Sequence, residues 1–136
     1  MSCIFCKIIK GDIPSYKVYE DENIIAFLDI SQITKGHTLI VPKTHVKNIY
    51  GLDELLAKKI FQAVPKIAKA IKKTFDPIGM NIINNNDKPH QTVDHFHIHL
   101  IPRYKNDKFK IDFINRQDQF NPEDYEKIKS EIRQNI

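Results

Sequence analysis

The chain has 136 residues, 41% of them hydrophobic and 28% charged, with 21 Lys and Arg against 17 Asp and Glu for a net charge of +4. That length suits one domain over residues 1–136 and is short for two, and the composition is that of an ordinary globular protein rather than a disordered or fibrous one. No apolar run reaches the ~20 residues of a membrane helix, and Lys7 and Lys10 interrupt the N-terminal apolar stretch; the expectation is a cytoplasmic protein without a membrane partner.

Residues 3–10 predict a short helical turn ended near Gly11 and Pro14, carrying both cysteines as Cys3-Ile4-Phe5-Cys6. In a reduced compartment such a pair reads as half a metal site or a redox pair before a structural disulfide. A thioredoxin-like pair would follow a strand, and the residues ahead of Cys3 offer no pattern for one. Residues 16–20 and 23–29 read as two strands of a hairpin turning at Asp21-Glu22, and residues 36–42 as a third strand bounded by Gly36 and Pro42.

Asp53 is a candidate N-cap for a long helix whose stripe is Leu56, Ile60, Val64, Ile67, Ile71 and Phe75, closed by Asp76-Pro77. Pro65 inside that pattern predicts a kink or a break. Lys58, Lys59, Lys66, Lys69, Lys72 and Lys73 recur at helical spacing opposite the stripe. They are expected to form a solvated face rather than a nucleic-acid surface. Residues 80–84 give a fourth strand and residues 84–89 a polar, turn-rich loop. Asn121-Pro122-Glu123-Asp124 has cap, first-turn proline and acidic first turn in order, so a second helix runs to about Gln134. Hairpin-linked strands without βαβ alternation predict an α+β fold, a five-stranded antiparallel sheet with one long and one C-terminal helix.

The six histidines are His37, His45, His90, His95, His97 and His99. The last three alternate, so in a strand they share one face, backed by Phe96, Ile98 and Leu100 on the other. A row of imidazoles can do acid-base or nucleophilic work near neutral pH, or bind metal. At ~3.3 Å rise per residue, His95 and His99 stand roughly 13 Å apart along the strand, too far to ligate one zinc with bonds of ~2.0–2.1 Å. The row must divide its labour. His90 alone reads as a surface residue.

The run His95-Phe96-His97-Ile98-His99-Leu100-Ile101, preceded by Gln91-Thr92-Val93, resembles the signature of the histidine triad family. Residues 3–9, 26–30 and 36–45 resemble the family's other blocks in the same order, so the likeness spans roughly residues 3–103 and leaves the tail, 104–136, weakly matched. The nearest branch is that of the small nucleotide-binding, Hint-like proteins. The resemblance implies a homodimeric hydrolase acting on purine nucleoside 5′-phosphoramidates or related nucleotidyl conjugates at the α-phosphorus, without a catalytic cofactor. Its alternatives are a dinucleoside polyphosphate hydrolase and a nucleotide-binding regulatory module whose hydrolysis is incidental.

Carried onto this chain, the resemblance makes His97 the nucleophile, with His99, His37, Gln91 and Thr92 holding phosphate oxygens and Thr92 also meeting the leaving amine. It makes Asp29 the partner of the ribose hydroxyls and Phe5, Ile8, Phe27 and Ile30 the walls around the base, and it adds Asn84 to the nucleotide contacts. Read without it, the four apolar residues are core and Asp29 is a turn residue at a strand end. Cys3, Cys6, His45 and His95 make a Cys₂His₂ set suited to tetrahedral, structural zinc, as in family members that keep the cysteine pair; two free buried cysteines are the alternative. The chain departs from the family at His90, which stands where a glycine is usual and where positive φ or close backbone approach is expected.

Overall fold

A computed structural model describes residues 3–136; Met1 and Ser2, part of the domain and N-terminal readings above, lie outside the described residues. The elements run α1 (Ile4–Lys10), β1 (Lys17–Glu20), β2 (Ile24–Leu28), β3 (Thr38–Pro42), α2 (Glu54–Phe75), β4 (Gly79–Ile83), β5 (Ile98–Arg103) and α3 (Pro122–Gln134). The strands form one sheet in the order β1-β2-β3-β5-β4, every neighbouring pair antiparallel. This is the expected α+β architecture.

Alternation along the central strands loads both faces of the sheet. Ile24, Ala26, Ile40, Ile98 and Leu100 point to one side and pack on Ile60, Ala63, Val64, Ile67 and Ile71 of α2, with Phe96 in the same cluster. Ile25, Phe27, Leu39 and Val41 point to the other, where Phe5 of α1 covers them. Leu39 pairs with His99 across the β3–β5 ladder, so the histidine lies on the α1 side.

The expected caps are present. The Asp53 carboxylate accepts from the Leu56 N–H at 2.8 Å at the start of α2, and Asn121 with Asp124 forms a reciprocal capping box on α3. The helix α2 runs through Pro65 without a break. Proline deprives the Phe61 carbonyl of its helical donor, but both residues lie on the exposed side, where the carbonyl is open to solvent.

One expectation is corrected. The histidine strand begins at Ile98, so His95 and His97 precede the ladder. Pro42, which would continue the pairing on β3, has no N–H to give, and its carbonyl accepts instead from the ring of His95 at 2.8 Å. The chain turns there: the His95 N–H donates to the Val93 carbonyl at 2.8 Å and the Phe96 N–H to the Val46 carbonyl at 2.6 Å. Past β5, the Arg103 guanidinium binds Asn81, Asp107 and the Phe109 carbonyl, and from Lys110 to the end no residue is buried.

Candidate active site

The three triad histidines go to three different environments. His95 is fully buried, and its Nε2 lies 2.8 Å from the Pro42 carbonyl. A carbonyl only accepts, so Nε2 carries the proton and Nδ1 is a bare lone pair. That Nδ1 faces His45 Nδ1 at 3.2 Å, Cys3 Sγ at 3.5 Å and Cys6 Sγ at 3.6 Å, with Cys6 Sγ 3.3 Å from His45 Nδ1. The four predicted ligand atoms all lie within 4.8 Å of one another. Two thiols and two imidazoles of this kind can hold a tetrahedral cation such as zinc, and the Pro42 carbonyl is the outer partner that orients a ligating histidine.

His97 repeats the logic with its nitrogens exchanged. Its Nδ1 donates to the carbonyl of His95 at 2.7 Å, which leaves Nε2 unprotonated. The Asn84 amide donates to the His97 carbonyl at 3.0 Å, and the Phe5 ring packs edge-on at 5.1 Å, so backbone and ring are both held. Burial pushes the imidazole pKa below its usual value, against the opposing pull of the His95 carbonyl and Asp29. The ring is therefore neutral at pH 7.

His99 ends a chain of donors. The Ile33 N–H donates to His37 Nδ1 at 3.4 Å, which puts the His37 proton on Nε2; that proton goes to His99 Nδ1 at 2.9 Å. His99 is left with its proton on Nε2, the complement of His97. Burial, then the neighbouring rings of His97 and His37, hold its pKa down to about 4. His37 itself is fully buried and reaches the site through His99.

Asp29 follows β2. Its Oδ1 accepts from the Ser31 N–H at 2.8 Å and the Ser31 hydroxyl at 2.7 Å, while Oδ2 lies 3.6 Å from His37 Nε2. Burial alone would raise its pKa; the Ser31 hydrogen bonds and the nearby histidines outweigh it, and the carboxyl stays below the usual range. Gln32 locks the loop by donating to the carbonyls of Asp29 and His37, both at 2.7 Å, and accepting from the Gly36 N–H at 2.8 Å. Gly36 has φ +94°, and a Cβ there would stand 3.1 Å from the Phe75 ring, so glycine is required where the chain enters His37.

These groups share a cavity of about 410 Å³ lined by His97, His99, Asp29, Thr92, Phe5, Ile8, Phe27 and Ile30, all expected from the resemblance. Three expected residues stand off the cavity wall, the first being His37, which lies behind His99 rather than at a phosphate position. Gln91 is buried beneath the loop, its amide donating to the Lys47 and Val93 carbonyls and accepting from the Asp87 N–H. Asn84 sits behind His97, as above. His90 is exposed and does not have positive φ; in that loop the left-handed residue is Asp87, at φ +62°. The sequence reading missed Ile13, Pro14, Ser15, Tyr16 and Ser31, which also line the cavity. Asp29-Ile30-Ser31 carried a signal, since a side chain two residues on is placed to bind an Asp carboxylate; the loop before β1 carried none.

The arrangement offers one bare imidazole nitrogen, an imidazole N–H beside it, an ionised carboxylate and an apolar wall. The HIT domain family model matches residues 10–106. A solved structure of a HIT family protein from Bacillus subtilis superposes with a TM-score of 0.98 at 54% identity, covering 100% of this chain and 98% of that one. The adenosine 5′-monophosphoramidase of Schizosaccharomyces pombe is 45% identical over 104 residues, 76% of this chain and 75% of that protein. A zinc-bound histidine triad family protein from Mycobacterium smegmatis superposes with a TM-score of 0.76 at 36% identity, covering 88% of this chain and 87% of that one.

Proposed function

Because the chain belongs to the HIT domain family, a family of nucleotide hydrolases, we propose that it cleaves purine nucleoside 5′-phosphoramidates or related nucleotidyl conjugates at the α-phosphorus through a nucleotidyl-His97 intermediate. The observation that carries this reading is the hydrogen bond from His97 Nδ1 to the His95 carbonyl, which leaves Nε2 as the lone pair on the cavity side. That lone pair forms a bond to phosphorus as the bond to the leaving amine breaks. The amine departs with the bonding pair and takes up a proton, for which the Thr92 hydroxyl stands in the same cavity. His97 then carries a positive ring, and its Nδ1–H bond to the carbonyl strengthens as it becomes charge-assisted. In the second step water attacks the phosphorus as the P–Nε2 bond breaks and returns its electron pair to the ring, and the proton that water loses replaces the one given to the amine, so that imidazole and hydroxyl end as they began.

His99 supplies an N–H to the phosphoryl oxygens, where negative charge collects, and His37 fixes that proton's position. Asp29, ionised and held on one oxygen by Ser31, has its other oxygen for the ribose hydroxyls. Phe5, Ile8, Phe27 and Ile30 offer the base an apolar slot. Cys3, Cys6, His45 and His95 would hold zinc as a tie between α1 and the sheet, with no role in the bond-making steps.

The test is turnover of an adenosine 5′-phosphoramidate beside a dinucleoside polyphosphate, with wild type and His97→Ala. The phosphoramidate should be the better substrate, the variant should retain under about one per cent of kcat while still binding AMP, and rapid quench of wild type should trap covalent nucleotide. Several per cent of residual activity, or no adduct, would remove His97 from this role.

A further inference from the structure

Helix α1 serves the metal cluster and the cavity from the same turn. Cys3 and Cys6 face His45 and His95, while Phe5, between them in sequence, is buried in the cavity wall with Ile8 one turn later. The Phe5 ring lies edge-on to His97 at 5.1 Å, to Phe27 at 5.5 Å and to His95 at 6.0 Å. Outside the helix itself, the backbone hydrogen bonds of residues 3–13 are all local: Lys7 to Cys3, Gly11 to Ile8, and Asp12 and Ile13 to Lys7. What fastens α1 to the sheet is therefore side chains, the apolar contacts of Phe5 and its neighbours and the Cys/His cluster.

Thiols and imidazoles 3.3–3.6 Å apart hold one another only by weak S–H hydrogen bonds. A tetrahedral cation would replace these with bonds of ~2.0–2.3 Å to both ends of the tie. His97 depends on the cluster far less. The backbone of His95 is fixed by its own N–H to Val93 and by the ring bond to Pro42, and Asn84 supports His97 from beneath.

We infer that metal bound by Cys3, Cys6, His45 and His95 sets the affinity of the cavity for nucleotide, by fixing Phe5 and Ile8 in its wall, and leaves the chemical step unaltered. Cys3 and Cys6 are thereby positioning residues for substrate, acting through Phe5. The inference rests on the proposed reading of the cavity as a nucleotide site.

Coupling of this kind is reciprocal, so it can be measured on the loaded, folded protein. The zinc dissociation constant is determined by competition with a chromogenic chelator, with and without saturating AMP, and AMP affinity is measured by calorimetry on loaded and stripped protein. AMP should tighten zinc, and zinc tighten AMP, by the same factor of roughly tenfold, and stripping should raise KM with kcat held within about twofold. Phe5→Ala, with zinc content and circular dichroism unchanged, should weaken AMP binding and abolish the coupling. Failure of AMP to alter zinc affinity, or undiminished coupling in Phe5→Ala, overturns the inference while the nucleotide reading stands. If zinc-loaded wild type does not bind AMP, the nucleotide reading falls and the inference falls with it.

Discussion

A single backbone carbonyl, that of His95, decides which nitrogen of His97 is free, and a single amide, that of Ile33, decides through His37 which nitrogen of His99 carries a proton. Two neighbouring imidazoles are thus given opposite tautomers by what lies behind them. Both must be neutral for the proposed chemistry, and the pKa of His99, held near 4 against an ordinary 6.5, has a consequence for stability. Between those values the unfolded chain binds the extra proton, so the contribution is fully present above about pH 6.5 and is lost as pH falls toward 4. The melting temperature should drop over that window, and His99→Asn should flatten the drop; an unchanged slope in the variant would remove His99 as its source. The alternation of the histidines was readable because a period of two is a property of sequence. The inward turn of Gln91 and the place of Asn84 behind His97 were not, because a polar side chain's direction depends on which loop carbonyls need a donor.

At the scale of elements, stripes and caps carried most of the information. Asp53, the stripe of α2 and the box of α3 stand where the pattern put them, since each is decided within a few residues. The start of β5 is decided by a proline on another strand and by a ring bond across the sheet, which no local pattern records. The turn into β3 is strict for similar reasons. Gly36→Ala should cost about 1–3 kcal/mol in chemical denaturation, from backbone strain at positive φ and contact with Phe75 and Pro102. A loss below about 0.5 kcal/mol would mean that the turn relaxes freely. If the cysteine pair on α1 is a metal tie, zinc should co-purify at about one per chain. Its chelation should lower the melting temperature by about 10 °C, taking about 2.7 kcal/mol for a ligand at 100 times its Kd and about 4 °C per kcal/mol. Protein purified without chelator and found free of metal would refute the tie.

For the whole molecule, the apolar surface left over is informative. Strand β4 is an edge with Ile82 half exposed, α2 shows Leu55 and Phe61 on its outer side, and the tail exposes Phe113 at 92% together with Ile114 and Ile132. Surface of this extent is expected to be shared between copies, and light scattering at micromolar concentration should report a dimer; a monomer across that range would contradict it. In the tail the capped helix α3 was legible but its place was not, since from Lys110 onward none of the described residues is buried against the rest of the chain. The double loading of the sheet has its own consequence for how the sequence can drift. Because β2 and β3 have helix α2 beneath them and α1 with the cavity above, Ile24 to Phe27 and Thr38 to Pro42 have no side open to water. A saturation mutagenesis scan scored by protein abundance should therefore show these two strands as unbroken blocks that reject charged residues at every position. The edge strands β1 and β4, with exposed positions in each, should accept them at intervals.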